Sequence, residues 1–244
     1  MIKERLEQSD ILMERRISMT PEVVRLSRAP TAARAFSKSL VIISEPNGVQ
    51  AESIRALRTH LLAKDVASTC RGLAICSAST GAGCSYIAAN LAIALSQIGA
   101  NTLLIDGNMR EPAIDTLIPP VGGADGLKQY LSSSDSALSD YIQPDVLPNL
   151  SVMYAGGAAT NAQDLLASDR FKDLMGFCRR DFDITLVDTP AANTFSDARR
   201  IATVAGHCLI VTRRHVSFVH DMKVLASQVE ADGGQVLGTV LNQN

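Results

Sequence analysis

Residues 76–92 read CSASTGAGCSYIAANLA, a run of small residues between an apolar segment and a helical pattern. The apolar segment, RGLAICSA at 71–78, predicts a buried strand. Apolar residues then recur on one helix face from Ile87 to Ile98, which predicts a helix over 85–98. Small residues let backbone N–H groups curl around an anion, and a helix N-terminus adds a partial positive charge. The stretch therefore predicts a phosphate-binding loop between a strand and a helix.

The remainder of the chain alternates short apolar runs with helical patterns, which is typical of strand–helix–strand units. Four further strands are predicted, NTLLID at 101–106, DITLVD at 183–188, HCLIVT at 207–212 and QVLGTVLN at 235–242. Helices are predicted over 52–64 and 218–229, with short ones near 127–131 and 137–142. Strands that are apolar on both faces are typical of buried parallel sheets. The pattern predicts an α/β fold, with a doubly wound, mostly parallel sheet and helices on both faces.

The composition excludes several classes of function. The 244 residues include 23 basic and 25 acidic side chains, a net charge of −2 that does not indicate a nucleic-acid binder. No apolar run approaches the roughly 18 residues of a membrane span, so we expect no direct membrane insertion. The five cysteines are scattered and without a CxxC pair, which favours a reducing cytoplasm over a disulfide framework or a zinc site.

The chain is predicted to divide near residue 38. Residues 1–38 predict a charged amphipathic helix followed by a basic linker, and the N-terminus lacks the apolar core of a secretory signal. This segment is either a partner-docking segment or a solvated tail. Residues 39–244 are predicted to form one domain.

Two carboxylates lie where predicted strands end. Asp106 ends the second strand and Asp188 ends the third. Ligands of doubly wound sheets bind beyond the carboxyl ends of the strands, next to the predicted phosphate loop. Each carboxylate therefore lies where a magnesium ion that bridges phosphates could use it.

With these residues placed, the chain resembles the bacterial tyrosine kinases of capsule and exopolysaccharide synthesis, in the P-loop group that includes the Min-type and Par-type ATPases. The resemblance covers about residues 39–244 and rests on five segments: CSASTGAGCSYIAANLA, NTLLIDGNMREP, FDITLVDTPAA, AESIRALRTHLL and GTVLNQN. It implies a P-loop NTPase fold, ATP or ADP with Mg²⁺ as cofactor, and an inner-membrane polysaccharide co-polymerase as partner. The protein would then be cytoplasmic and peripheral at the inner membrane through that partner.

The resemblance also implies roles for individual residues. Contacts to the nucleotide would come from the loop and from two distant side chains: Thr80, Gly81, Ala82, Gly83, Cys84, Ser85, Tyr86, Arg110 and Asn242, the last near the adenine. Magnesium would be held by Ser85, Asp106 and Asp188, and the two aspartates would be the catalytic positions. Glu52, Arg55 and Arg58 would lie on the helix that joins subunits in a homo-oligomer, although a solvated helix face explains them adequately.

Three features depart from the family pattern. Cys84 replaces the loop lysine, a positive charge that phosphoryl transfer requires. Asn108 replaces the second aspartate of an Asp-x-Asp pair, and the four tyrosines are dispersed rather than clustered in a C-terminal tail. Catalysis at Asp106 and Asp188 is therefore expected to be vestigial and nucleotide binding weakened.

The sequence thus predicts a catalytically impaired regulatory or scaffolding protein of exopolysaccharide synthesis. Two alternatives stay open: an active tyrosine kinase or slow ATPase, and a Par-type or Min-type positioning ATPase. Three residues also keep two interpretations. Cys84 is either a reactive thiolate at a helix N-terminus or, as we prefer, an inert replacement of lysine. Asp197 is either a helix cap or functional, and Arg213 is a surface charge unless it contacts phosphate or a partner.

Overall fold

The computed structural model describes residues 35–63, 71–123, 125–133 and 136–243. The predicted segment at 1–38 therefore lies almost wholly outside the described residues. The strands are β1 Gly72–Ser77, β2 Thr102–Asp106, β3 Gln143–Leu147, β4 Leu150–Met153, β5 Ile184–Ala191, β6 His207–Arg213 and β7 Gln235–Asn242. The helices are α1 Val41–Ser44, α2 Val49–Ala63, α3 Cys84–Ser96, α4 Ile114–Leu117, α5 Leu127–Ser132, α6 Ala162–Ala167, α7 Asp169–Asp181, α8 Asp197–Ala205 and α9 Val219–Ala231, with a 3₁₀ turn at Leu138–Tyr141.

The described strands form one sheet in the order β3-β4-β2-β5-β1-β6-β7. All neighbouring pairs are parallel except β3 with β4, which is antiparallel at one edge. β1 lies between β5 and β6, so the loop that follows β1 opens near the centre of the sheet. The predicted α/β fold with a mostly parallel sheet is confirmed.

Helices cover both faces of this sheet, because successive strand residues point to opposite sides. On one face, Leu73 and Ile75 of β1 pack in the cluster that contains α1, α2 and α3. On the other, Ala74 and Cys76 pack against helices α5 to α9. Helix α3 is buried along nearly its whole length, which fixes the loop before it firmly on the sheet.

The structure corrects three sequence predictions. It adds the hairpin of β3 and β4 to the five predicted strands. The sequence did not predict these two strands because they are short, include Pro144 and lie in a Gly-, Pro- and Ser-rich segment. Strand β5 continues past Asp188 to Ala191 rather than ending at that carboxylate. Strand β7 lies at the sheet edge and is half exposed, so the prediction of burial on both faces is wrong for it.

Within the described ranges, every helix falls short of the length and apolarity that a membrane crossing requires.

Candidate functional site

The loop between β1 and α3 has the conformation of an anion cradle. Gly81 and Gly83 have φ angles of 73° and 95°, in the left-handed region that glycine adopts without cost. A Cβ at Gly83 would displace the side-chain amide nitrogen of Asn242 from its present position. Helix α3 begins at the next residue, Cys84, with 13 residues of aligned peptide dipoles behind it.

Two side chains from neighbouring strands hold the carbonyl groups of this loop. Nη1 of Arg213, at the end of β6, donates to the Gly81 carbonyl at 3.1 Å. Nδ2 of Asn242, at the end of β7, donates to the Ala82 carbonyl at 3.0 Å. These contacts fix the carbonyl oxygens of the loop. The placement of Asn242 near an adenine stays a prediction, but its side chain does reach the loop.

Ser85 and Asp188 are in direct contact. The Ser85 hydroxyl donates to Oδ2 of Asp188 at 2.5 Å, and the backbone N–H of Thr189 donates to Oδ1 at 3.0 Å. Burial and the neighbouring Asp106 carboxylate raise the pKa of Asp188 well above its ordinary value. A cation placed here would reverse that shift, since it favours the charged carboxylate. The pair therefore fits a magnesium ion that a bound nucleotide brings with it.

Asp106 lies beside Asp188 in the register of β2 and β5, but its carboxylate is already engaged. Oδ1 accepts the N–H of Asn108, and Oδ2 accepts the N–H groups of Ala113 and Ile114, each at 3.1 Å. These bonds fold the segment after β2 around the carboxylate. Its role as a magnesium ligand and catalytic residue stays a prediction, and in this structure the carboxylate organises the loop.

The protonation of Asp106 is expected to make stability depend on pH. Burial raises its pKa from 3.8 to about 6. The folded protein therefore binds more protons than the unfolded chain between these pH values, and the stability contributed below pH 3.8 is lost as the pH rises through about 6. The shift corresponds to about 3 kcal/mol. Urea unfolding from pH 4 to pH 7 should show a fall in the free energy of unfolding that Asp106→Asn reduces, while Asp188, whose pKa is also raised, contributes the remainder; an unchanged slope in the variant would contradict the assignment.

Cys84 does not resemble a reactive thiolate. Its side chain is 8% exposed, and burial together with the Asp188 charge raises the pKa of the thiol well above its ordinary value. A thiol in such surroundings stays neutral and nucleophilically weak. Of the two interpretations of this residue, the geometry favours the inert replacement of lysine.

A cleft of about 320 Å³ opens beside the loop and includes Thr80 to Tyr86, Asn108, Arg110 and Phe195 in its lining. Arg110 donates from Nε to Oδ2 of Asp197 at 2.8 Å, and its guanidinium lies 4.7 Å from the Phe195 ring centroid. Asp197 is 2% exposed and is the first residue of α8. Sequence reasoning missed this ion pair, because 87 residues separate its members and no local pattern joins them.

A second cavity of about 480 Å³ lies next to the cleft, between α2, the start of α3 and the end of β7. Tyr86 lines both spaces, and Asn242 lines the second. Tyr86 therefore borders both spaces, and the wall of the second includes the apolar side chains of Ile54 and Val240.

The predicted subunit-contact residues lie on α2. Glu52 and Arg55 form an exposed ion pair at 3.4 Å, whereas Arg58 donates to the Ala94 carbonyl of α3 at 2.8 Å. Arg58 therefore joins two helices of the same chain. The role of these residues in an oligomer stays a prediction.

No group of three or more His, Cys, Asp or Glu side chains in the described part of the chain is arranged to hold a metal ion. Magnesium bound through Ser85 and Asp188 would depend on phosphate oxygens and water for its other ligands, which is the usual state of this ion in proteins.

The sheet order, the loop between β1 and α3 and the Ser85–Asp188 contact define a P-loop α/β fold. MinD from Pyrococcus horikoshii, solved as a complex with Mg-ADP, superposes with a TM-score of 0.60 at 22% identity, over 70% of this chain and 69% of MinD. At that identity the likeness concerns the fold.

Within this class, the chain is a homologue of the bacterial tyrosine kinases, which confirms the resemblance stated from its motifs. CapB of Staphylococcus aureus is 29% identical over 204 residues, 84% of this chain and 89% of CapB. Tyrosine-protein kinase Wzc of Salmonella typhimurium is 29% identical over 209 residues, 86% of this chain but 29% of Wzc.

Solved structures agree with these relatives. The chimeric protein CapA2B2 superposes with a TM-score of 0.77 at 29% identity, over 85% of this chain and 91% of the chimera. The kinase domain of Escherichia coli tyrosine kinase Etk also gives 0.77, at 25% identity, over 90% of this chain and 83% of that domain. A comparison with models of protein families gives no match.

Proposed function

We propose that this protein is a nucleotide-binding, catalytically impaired relative of the bacterial tyrosine kinases, which regulates or scaffolds exopolysaccharide synthesis. The observation that carries the proposal is the buried, neutral thiol of Cys84 at the position of the loop lysine. Phosphoryl transfer depends on positioning and on charge stabilisation. A loop with its backbone donors but without this charge is suited to holding a nucleotide rather than turning it over.

The two adjacent spaces support nucleotide binding. The cleft beside the loop is bounded by the loop residues and Ser85, whose N–H and hydroxyl groups suit phosphates. The second cavity, beyond Tyr86 and beside Asn242, has apolar walls that suit a flat base. ATP or ADP with Mg²⁺ would therefore occupy both, with Ser85 and Asp188 toward the metal.

The impaired catalysis that we propose is supported by the pairing of Arg110, a positively charged side chain that lines the cleft, with a carboxylate. The guanidinium of Arg110 is neutralised by Asp197 at 2.8 Å, so it does not offer a free charge to a transferring phosphoryl group. Tyrosine acceptors are also poorly placed: Tyr130 and Tyr154 are buried, and Tyr86 and Tyr141 are half-buried.

The cellular role rests on the relatives. The part of this chain that aligns with Wzc covers 29% of the length of Wzc. The chimeric protein CapA2B2 has the same fold as this chain. We propose that the protein is cytoplasmic and acts with an inner-membrane polysaccharide co-polymerase. Residues 1–38 are the proposed contact, and assembly into a homo-oligomer through Glu52, Arg55 and Arg58 is a further part of the proposal.

Calorimetric titration with Mg-ATP and Mg-ADP, combined with an anti-phosphotyrosine blot, tests the proposal. We expect binding weaker than micromolar, comparable for the two nucleotides, and no phosphotyrosine after incubation with ATP. Micromolar affinity together with ATP-dependent phosphorylation would instead favour an active kinase. ATP-dependent dimerisation on DNA or vesicles would favour a positioning ATPase.

A further inference from the structure

We infer that Arg213 is a positioning residue for the bound nucleotide, supplying beside the loop the positive charge that Cys84 no longer provides. The inference rests on the proposed nucleotide binding and deepens it. Arg213 would supply a positive charge for nucleotide binding. The loop would still lack the lysine charge that stabilises the transferring phosphoryl group.

The contact of Arg213 with the loop is direct. Its Nη1 donates to the Gly81 carbonyl at 3.1 Å, across 132 residues of sequence. Gly81 lies in the segment that curls around the anion site, where its φ angle of 73° turns the chain. The guanidinium of Arg213 therefore lies beside Gly81, a residue of the loop whose N–H groups are proposed to bind phosphate.

The charge of Arg213 is also available. No carboxylate pairs with it among the described residues, whereas Arg110, which lines the cleft, is bound to the buried Asp197. A guanidinium has five N–H donors, and the Gly81 contact uses one. The others are free for a phosphate or ribose oxygen, with the planar geometry that arginine brings to anion recognition.

The backbone of Arg213 is held in place at the end of β6. Its backbone N–H donates to the Ser217 hydroxyl at 3.0 Å and its strand is paired with β7 up to Asn242. The strand end is therefore fixed, and the side chain reaches from it to the Gly81 carbonyl. The next residue, Arg214, is exposed and carries the same charge, which provides a matched control.

The experiment compares Arg213→Gln with Arg214→Gln by calorimetric titration with Mg-ADP and Mg-ATP at several salt concentrations. We expect Arg213→Gln to weaken both affinities by at least about 10-fold. It should also reduce the dependence of affinity on salt, because one charge–phosphate interaction has been removed. Arg213→Lys should restore most of the salt dependence. Arg214→Gln should match the unmodified protein.

Equal affinities and equal salt slopes for the two glutamine variants would overturn the inference. A loss of affinity in Arg213→Gln with an unchanged salt slope would also overturn it, because that result indicates a purely structural brace of Gly81. If the unmodified protein fails to bind either nucleotide, the proposed function itself fails. The two failures are therefore distinguishable.

Discussion

Cys84→Lys is expected to tighten binding of Mg-ATP by roughly 10- to 100-fold, the value of one or two charge-assisted hydrogen bonds to phosphate. The new lysine side chain would project from the first residue of α3, next to the loop N–H groups and the helix N-terminus. The loop glycines, Ser85 and Asp188 are in place, so the substitution restores the positive charge that the loop lacks. Calorimetric titration measures the change directly.

Cys84→Met is the control for this variant, because it adds a side chain of similar length without charge. We expect it to leave the affinity for Mg-ATP unchanged or lower. A gain shared by the methionine variant would assign the effect to packing. No gain in Cys84→Lys would mean that the cleft of about 320 Å³ does not accept polyphosphate, which contradicts the proposed function.

Arg110→Leu is expected to lower the free energy of unfolding by about 3 kcal/mol at pH 7. Asp197 is 2% exposed and Arg110 18%, so removal of the guanidinium leaves a carboxylate buried without its counter-charge. The contact of Arg110 with the Phe195 ring and its bond to the Thr160 carbonyl at 3.1 Å are lost as well. Urea unfolding of the purified protein measures the change.

Two further variants isolate the ion pair. Arg180→Leu removes an exposed pair with Asp181, where the arginine is 57% exposed, and should cost less than about 1 kcal/mol. In an Asp197→Asn background, the cost of Arg110→Leu should fall by more than half, because the charge it would strand is gone. Equal costs in the two backgrounds would show that the ion pair contributes nothing.

The fold was largely accessible from the sequence, because buried parallel strands and amphipathic helices leave strong local patterns. Strand β1, helix α3 and their glycine turn are each encoded within about twenty consecutive residues. The hairpin of β3 and β4 was not accessible, since β3 is a short edge strand and β4 has only four residues, too few for a long apolar run. Strand β5 runs on through Pro190, a residue that normally indicates a strand end.

The site was accessible where strand order sufficed. Neighbouring parallel strands bring their carboxyl ends together, so the approach of Asp188 to Ser85 follows from topology. What the residues do there depends on partners that lie far apart in sequence. The three N–H groups on Asp106, the pairing of Arg110 with Asp197 and the reach of Arg213 to Gly81 are all results of tertiary packing.

The protein's own hydrogen bonds hold the segment after β2, since the Asp106 carboxylate accepts the backbone N–H groups of Asn108, Ala113 and Ile114. A preorganised wall loses little conformational entropy on association. Nucleotide capture at this cleft should therefore resemble rigid docking, with a modest heat-capacity change and a rate set by encounter rather than by loop closure.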